Sequence, residues 1–163
     1  MGDNLKANVE DPLLNPDVDR DLSFKAFKAR LPAVIAARDR DHRVWGWKYP
    51  RANRYLEGIL PLIRNPHLVI VHRDPVPATL RANPDGTGAA LTELRRRLRM
   101  ELKNLAIAQR AECPALMVSY ERASRRPEDF VMRLADFLQV APPADLTPLL
   151  EFMEPGHYKQ PVF

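Results

Sequence analysis

The chain has 163 residues, 45% of them hydrophobic and 28% charged, the composition of a globular domain with room for a sizeable core. A net charge of +4 and a pI near 9.5 suit an anionic small molecule, whereas basic residues scattered rather than interleaved with aromatics argue against nucleic acid as a partner. A single cysteine, Cys113, excludes an internal disulfide and a cysteine-based zinc site, which points to a reducing, cytoplasmic setting. No apolar stretch approaches the ~20 residues of a membrane span, and the first ten residues lack the apolar core of a signal peptide, so no membrane partner is expected.

Residues 1–20 are polar and carry Pro12 and Pro16, which predicts an extended lead-in, followed by one domain over 21–163. From Asp21 the spacing of Phe24, Phe27, Leu31 and Val34 predicts an amphipathic helix, with a kink or break near Pro32. Val44 to Trp47 reads as a short strand. Pro50 is placed to open a helix that carries Tyr55, Leu56, Ile59 and Leu60, and Pro61 and Asn65-Pro66 end it.

The next stretch organises the rest. Leu68 to Val71 is a four-residue apolar run, too short for a helix and without the alternation of a half-wet strand, so it predicts a strand buried on both faces. Arg73, Asp74 and Pro75 follow at its carboxyl end, where ligands collect in open α/β sheets. A cation fixed there reads as an anion-binding residue, or as the partner of a nearby carboxylate that orders the turn.

After Pro77 a short helix is expected over 78–82, then a turn at Asn83-Pro84-Asp85-Gly86, then a long helix from about Ala89 to Glu112. Leu91, Leu94, Leu98, Leu102 and Leu105 form one stripe of that helix, and Arg95, Arg96, Arg97, Arg99 and Lys103 read as its solvated face. Ala115 to Glu121 is the third strand candidate. The next helix opens near Pro127 and buries Phe130, Leu134, Phe137 and Leu138; a last one holds Leu149 to Met153. Strands spaced by helices imply an α/β fold, a parallel sheet flanked by helices, with right-handed crossovers. His42, His67, His72 and His157 have no metal-ligand spacing.

Three segments, in this order, resemble the sulfotransferases that use 3'-phosphoadenosine 5'-phosphosulfate (PAPS). They are Trp45-Gly-Trp-Lys-Tyr-Pro-Arg51, Val69-Ile-Val-His-Arg-Asp-Pro75, and Val118-Ser-Tyr-Glu121 with Arg126-Pro-Glu-Asp and Leu134-Ala-Asp-Phe-Leu138. The resemblance covers roughly Arg43 to Val140. It implies a P-loop NTPase-like sulfotransferase fold and in-line sulfuryl transfer from PAPS, without a metal, to a hydroxyl or amine on a small-molecule or glycan acceptor.

Carried over residue by residue, the resemblance puts Arg73 where the family holds the cofactor's 3'-phosphate, a task suited to a forked guanidinium. Arg81 stands where a serine usually follows. Tyr120 matches a tyrosine beside the nucleoside, or else is a packed strand-end residue. Lys48 matches a lysine near the sulfuryl group, where it would neutralise charge on the bridging oxygen. Tyr49 stands where relatives carry a candidate base, and a phenol with a pKa near 10 is a poor one.

The family's glycine-bearing phosphosulfate loop, which cradles the donor on backbone amides, has no match here. Glycines stand at 2, 46, 58, 86, 88 and 156, and none leads an apolar strand into a helix. The resemblance therefore implies a sulfotransferase domain truncated at its N-terminus. The alternative is a non-catalytic module on the same fold that binds a nucleotide or a protein. A P-loop kinase is disfavoured by the absence of Gly-x-x-x-x-Gly-Lys-Ser/Thr. A missing central strand would leave sheet edges that invite a homo-oligomer.

Overall fold

The computed structural model describes residues 13–17 and 23–153. They form a mixed α/β structure with a two-stranded parallel sheet. The chain divides into two compact units: Met1–Pro66 with Arg110–Glu112, and His67–Gln109 with Cys113–Phe163. Among the described residues, no helix is long and apolar enough to cross a membrane.

The first unit is built on helix α1 (Phe24–Asp41). Ser23 caps it, its hydroxyl accepting from the Ala26 amide at 3.2 Å. Phe27, Leu31 and Ile35 recur every four residues on one face and are almost wholly buried. The break expected at Pro32 does not occur. Pro32 lies on the exposed side, and the carbonyl it deprives of a helical donor belongs to the solvent-exposed Lys28. Burial of Leu31 and Ile35 on either side holds the helix through it.

Leu14, inside the stretch read as a lead-in, is fully buried against this face. Its carbonyl accepts a hydrogen bond from the Tyr55 hydroxyl at 2.5 Å, and that is what draws the segment into the core. The rest of the predicted lead-in, 1–12 and 18–20, lies outside the described residues.

Val44 to Trp47 is irregular, not a strand. The alternating tryptophans find side-chain partners instead of a neighbouring strand. The Trp45 indole donates to Asp39 at 2.8 Å and the Trp47 indole to the Tyr55 hydroxyl at 3.2 Å, with the two rings stacked. The helix expected from Pro50 is replaced by short pieces: a 3₁₀ turn at Ala52–Arg54, one α-helical turn α2 (Leu56–Ile59), and a second 3₁₀ turn at Leu60–Leu62. Gly58 and Pro61 account for the fragmentation, one weakening the helix and the other removing a donor. Tyr55, Ile59 and Leu60 are nonetheless buried.

The second unit carries the sheet. Strand β1 (Leu68–His72) runs parallel to β2 (Ala115–Ser119), with Leu68 opposite Ala115 and His72 opposite Ser119. Helices α3 (Pro75–Ala82) and α4 (Gly88–Arg110) make the crossover between them. After β2 come α5 (Tyr120–Arg125), α6 (Pro127–Leu138) and α7 (Thr147–Met153). Leu116 and Val118 of β2 pack under Ala123, Phe130, Leu134 and Phe137.

Strand β1 is not buried on both faces. Val69 and Val71, which share a sheet face with Leu116 and Val118, are 39% and 57% exposed, because α5 and α6 cover β2 and not β1. The third strand candidate ends two residues earlier than expected, since Tyr120 and Glu121 open α5 under a Ser119 cap.

Candidate functional site

The carboxyl ends of β1 and β2 are held together by short polar contacts. Asp74 caps α3, its Oδ1 accepting from the Val76 amide at 2.9 Å, while Pro75 at the first helical position loses no hydrogen bond there. The Asp74 amide in turn donates to Glu121 Oε1 at 2.8 Å. Glu121 Oε2 accepts from the Ser119 hydroxyl at 3.3 Å, and Ser119 Oγ accepts from the Arg122 amide at 3.2 Å. A carboxylate from the second strand end thus fixes the turn after the first.

Partial burial pushes the Glu121 carboxyl up, but the Asp74 amide, its own amide, the Ser119 hydroxyl and the Arg73 guanidinium outweigh it. The net effect holds Glu121 below the ordinary carboxylate value of 4.5. A group with a depressed folded pKa adds stability above its unfolded pKa and loses it as pH falls through the folded value. Glu121→Gln is therefore expected to cost stability near neutral pH, with the gap to wild type closing as pH falls through the lowered Glu121 value, below the ordinary carboxylate range. Urea denaturation of both proteins across that range measures it. A gap that stays constant with pH would show that the carboxylate charge is not what holds the turn.

Arg73 leaves this turn half-buried, its guanidinium 4.6 Å from the centre of the Tyr120 ring. That distance is a cation–π contact, and it orients the fork. Arg73 makes no close ion pair among the described residues, yet its charge acts on Glu121, the carboxylate that fixes the turn after β1. Arg81 is exposed in the last turn of α3. It falls there because α3 begins at Pro75, three residues before the expected start at Ala78.

Arg73 and Arg81 line one open cavity of about 390 Å³ together with Ala78, Ala82 and Arg97. Ala78 and Ala82, one helical turn apart, leave the space between the guanidinium groups unfilled. Arg97 enters from α4. Its Nε lies 2.9 Å from Glu93 Oε1, but in a direction that makes no hydrogen bond, so this buried nitrogen has no acceptor. Glu93 is shared with Arg96, which holds it bidentately at 2.6 and 2.7 Å. Three guanidinium groups therefore face one cavity, with one shared carboxylate among them. Guanidinium groups so placed are chemically suited to anions, above all multiply charged ones such as phosphate esters.

Beside it, His72 Nδ1 lies 3.8 Å from Glu101 Oε2, and its Nε2 is buried without a partner. His67 meets Phe137 edge-on at 5.3 Å.

Lys48 belongs to the other compact unit and is exposed. Its neighbour Tyr49 donates to Asp17 at 2.8 Å and stacks on Tyr55. Burial, followed by the Asp17 contact, pushes the Tyr49 phenol above its ordinary value, which makes it a still poorer base. Of the four residues singled out from the sequence, then, Arg73 and Arg81 share a cavity, Tyr120 lies under Arg73, and Lys48 stands in the other unit.

Two members of this arrangement escaped the sequence reading. In the sequence Arg97 stands within a basic run that reads as a solvated face. The signal lay in its spacing from Ala90 and Ile107, the two buried residues of α4. Glu121 lay in plain view at a strand end, and only the fold shows that it reaches the turn after β1. No known family model, curated protein or solved structure matches this chain.

Proposed function

We propose that this chain is a sulfotransferase-like protein with a P-loop-type α/β fold, in which Arg73, Arg81 and Tyr120 hold the 3'-phosphorylated nucleoside end of PAPS. The observation that carries the reading is the cavity at the carboxyl end of β1, lined by Arg73, Arg81 and Arg97. Of its lining, Arg73 falls within the resembling segment Val69–Pro75, and Tyr120 of the third segment lies under Arg73. PAPS itself would supply the activated sulfuryl group. Arg73 would donate two parallel hydrogen bonds to phosphate oxygens while Tyr120 fixes its orientation, and Arg81 would add charge from the cavity rim. The resemblance alone gives Lys48, which belongs to the other unit, the role of neutralising charge on the bridging oxygen, with a hydroxyl or amine of a small molecule or glycan as acceptor. No metal is required by this chemistry, and a cytoplasmic setting fits the lone cysteine.

The second reading is a non-catalytic module that binds the nucleotide without turning it over. It is favoured by the lack, among the described residues, of a glycine turn joining a strand to a helix.

Adenosine 3',5'-bisphosphate is expected to bind, and Arg73→Ala to weaken that binding by about 1.5–3 kcal/mol, the worth of hydrogen bonds to a charged group. Isothermal titration calorimetry measures both. The decisive comparison is with adenosine 5'-monophosphate, which lacks the 3'-phosphate and should lose the same increment in wild type. Equal affinity of wild type and Arg73→Ala for the bisphosphate would rule the site out.

A further inference from the structure

Helix α4 presents its apolar stripe to solvent. Leu91, Leu98 and Leu102 are 67%, 44% and 66% exposed, while the inward side carries Glu93, Arg97 and Glu101. Its only buried residues, Ala90 and Ile107, sit near its two ends. The 15 or so residues between them contribute no fully buried side chain. A helix of this length draws most of its stability from packing an apolar face, and this one has that face unpartnered among the described residues.

The leucines at 91, 94, 98, 102 and 105 follow a three-four-four-three spacing, close to that of a helix-pairing seam, with Leu94 and Leu105 half-buried at its margin. The charged residues exposed beside the seam are Arg95, Arg96, Arg99 and Lys103, and every one is basic. Arg96 is already engaged by Glu93. Arg95, Arg99 and Lys103 make no ion pair among the described residues.

We propose that the outer face of α4, Leu91, Leu98 and Leu102 flanked by Arg95, Arg99 and Lys103, is a docking surface for an acidic amphipathic helix of a protein partner. The leucines supply the anchors of a helix-to-helix contact, and the bases select glutamate or aspartate on its flanks. A second copy of the same face is disfavoured, because self-pairing sets these bases against one another. A lipid surface is disfavoured too. The stripe is three leucines over about 16 Å of helix with no aromatic, and Arg95 interrupts it.

The test uses the full chain and two fluorescein-labelled synthetic helices, each with leucine along one seam, one flanked by glutamate and the other by lysine. Fluorescence anisotropy is expected to show binding of the glutamate helix. Leu98→Ser with Leu102→Ser should weaken it roughly tenfold or more, and Arg95→Glu with Arg99→Glu should transfer preference to the lysine helix. These side chains are exposed, so the variants should keep the wild-type circular dichroism. Arg73→Ala should leave the binding unchanged, separating this surface from the nucleotide reading. Absence of binding, or equal binding of both helices, overturns the proposal. So does co-sedimentation with phosphatidylcholine–phosphatidylserine vesicles that depends on the leucines, or a dimer in sedimentation velocity that Leu98→Ser disperses.

Discussion

The purified chain, offered PAPS with a panel of hydroxyl and amine acceptors, is expected to release little or no sulfated product. Sulfuryl transfer depends on donors fixed in advance around the moving group and the bridging oxygen. In this chain Lys48 is the one residue matched to that position, and it is exposed. Among the described residues, none of Gly46, Gly58, Gly86 and Gly88 joins a strand to a helix in a turn that would present backbone amides to the donor. Gly86, at φ +61°, follows the Asn83–Asp85 turn rather than a strand. The phenol nearest Lys48 in sequence, Tyr49, donates a hydrogen bond to Asp17 and is raised by burial, so it keeps its proton and does not serve as a base. Loss of a single preplaced donor costs ~10²–10³ in rate, and an entire cradle costs more. Radiolabelled sulfate transfer is the assay. Robust turnover that Lys48→Ala abolishes would show that charge stabilisation reaches the donor without the backbone cradle.

The largest stability effect is expected at Phe27. Its ring is fully buried, meets Tyr55 edge-on at 5.2 Å, and lies in the cluster that joins Leu14, Leu31, Ile35 and Ile59. Phe27→Ala removes the largest fully buried side chain of that cluster and leaves a cavity that α1 cannot close by shifting alone. The expected loss is about 3–5 kcal/mol, against a typical total of roughly 5–15 kcal/mol for a domain. Urea denaturation followed by Trp45 and Trp47 fluorescence reports on the same unit. Leu102→Ala, on the exposed face of α4, is the control and should stay within about 0.5 kcal/mol. Comparable losses in the two variants would place the stabilising core elsewhere.

The elements that the sequence made legible are those whose local pattern has one solution. Leu68–Val71 and Ala115–Ser119 could only be strands, and the periodicities of α1, α4 and α6 are long enough to be unambiguous. What remained hidden depended on tertiary partners. Trp45 and Trp47 alternate like a strand, yet their indoles satisfy themselves on Asp39 and Tyr55. Pro32 carries a helix-breaking penalty that burial of Leu31 and Ile35 overrides. The leucine stripe of α4 told which residues share a face, but periodicity does not say whether that face turns inward. The site shows the same division. The place of Arg73 at the end of a strand was legible, whereas the approach of Arg97 to the same cavity needed the crossover helix to be laid beside that strand's end.

The parallel pairing of β1 with β2 also governs how the second unit is made. Leu68 and Ala115, the first partners in register, are 47 positions apart, so nothing in the sheet forms until that loop closes. Closure costs entropy that two strands of five residues repay only after the whole register is in place. The helices between them need no such encounter, and α4 acquires its hydrogen bonds within about a microsecond. The nascent chain therefore carries a formed crossover well before it carries a sheet. During that interval Val69, Val71 and Met117 belong to unpaired segments of high β-propensity. A refolding experiment should show far-ultraviolet helical signal ahead of strand protection from hydrogen exchange, with aggregation rising with protein concentration in the gap between the two.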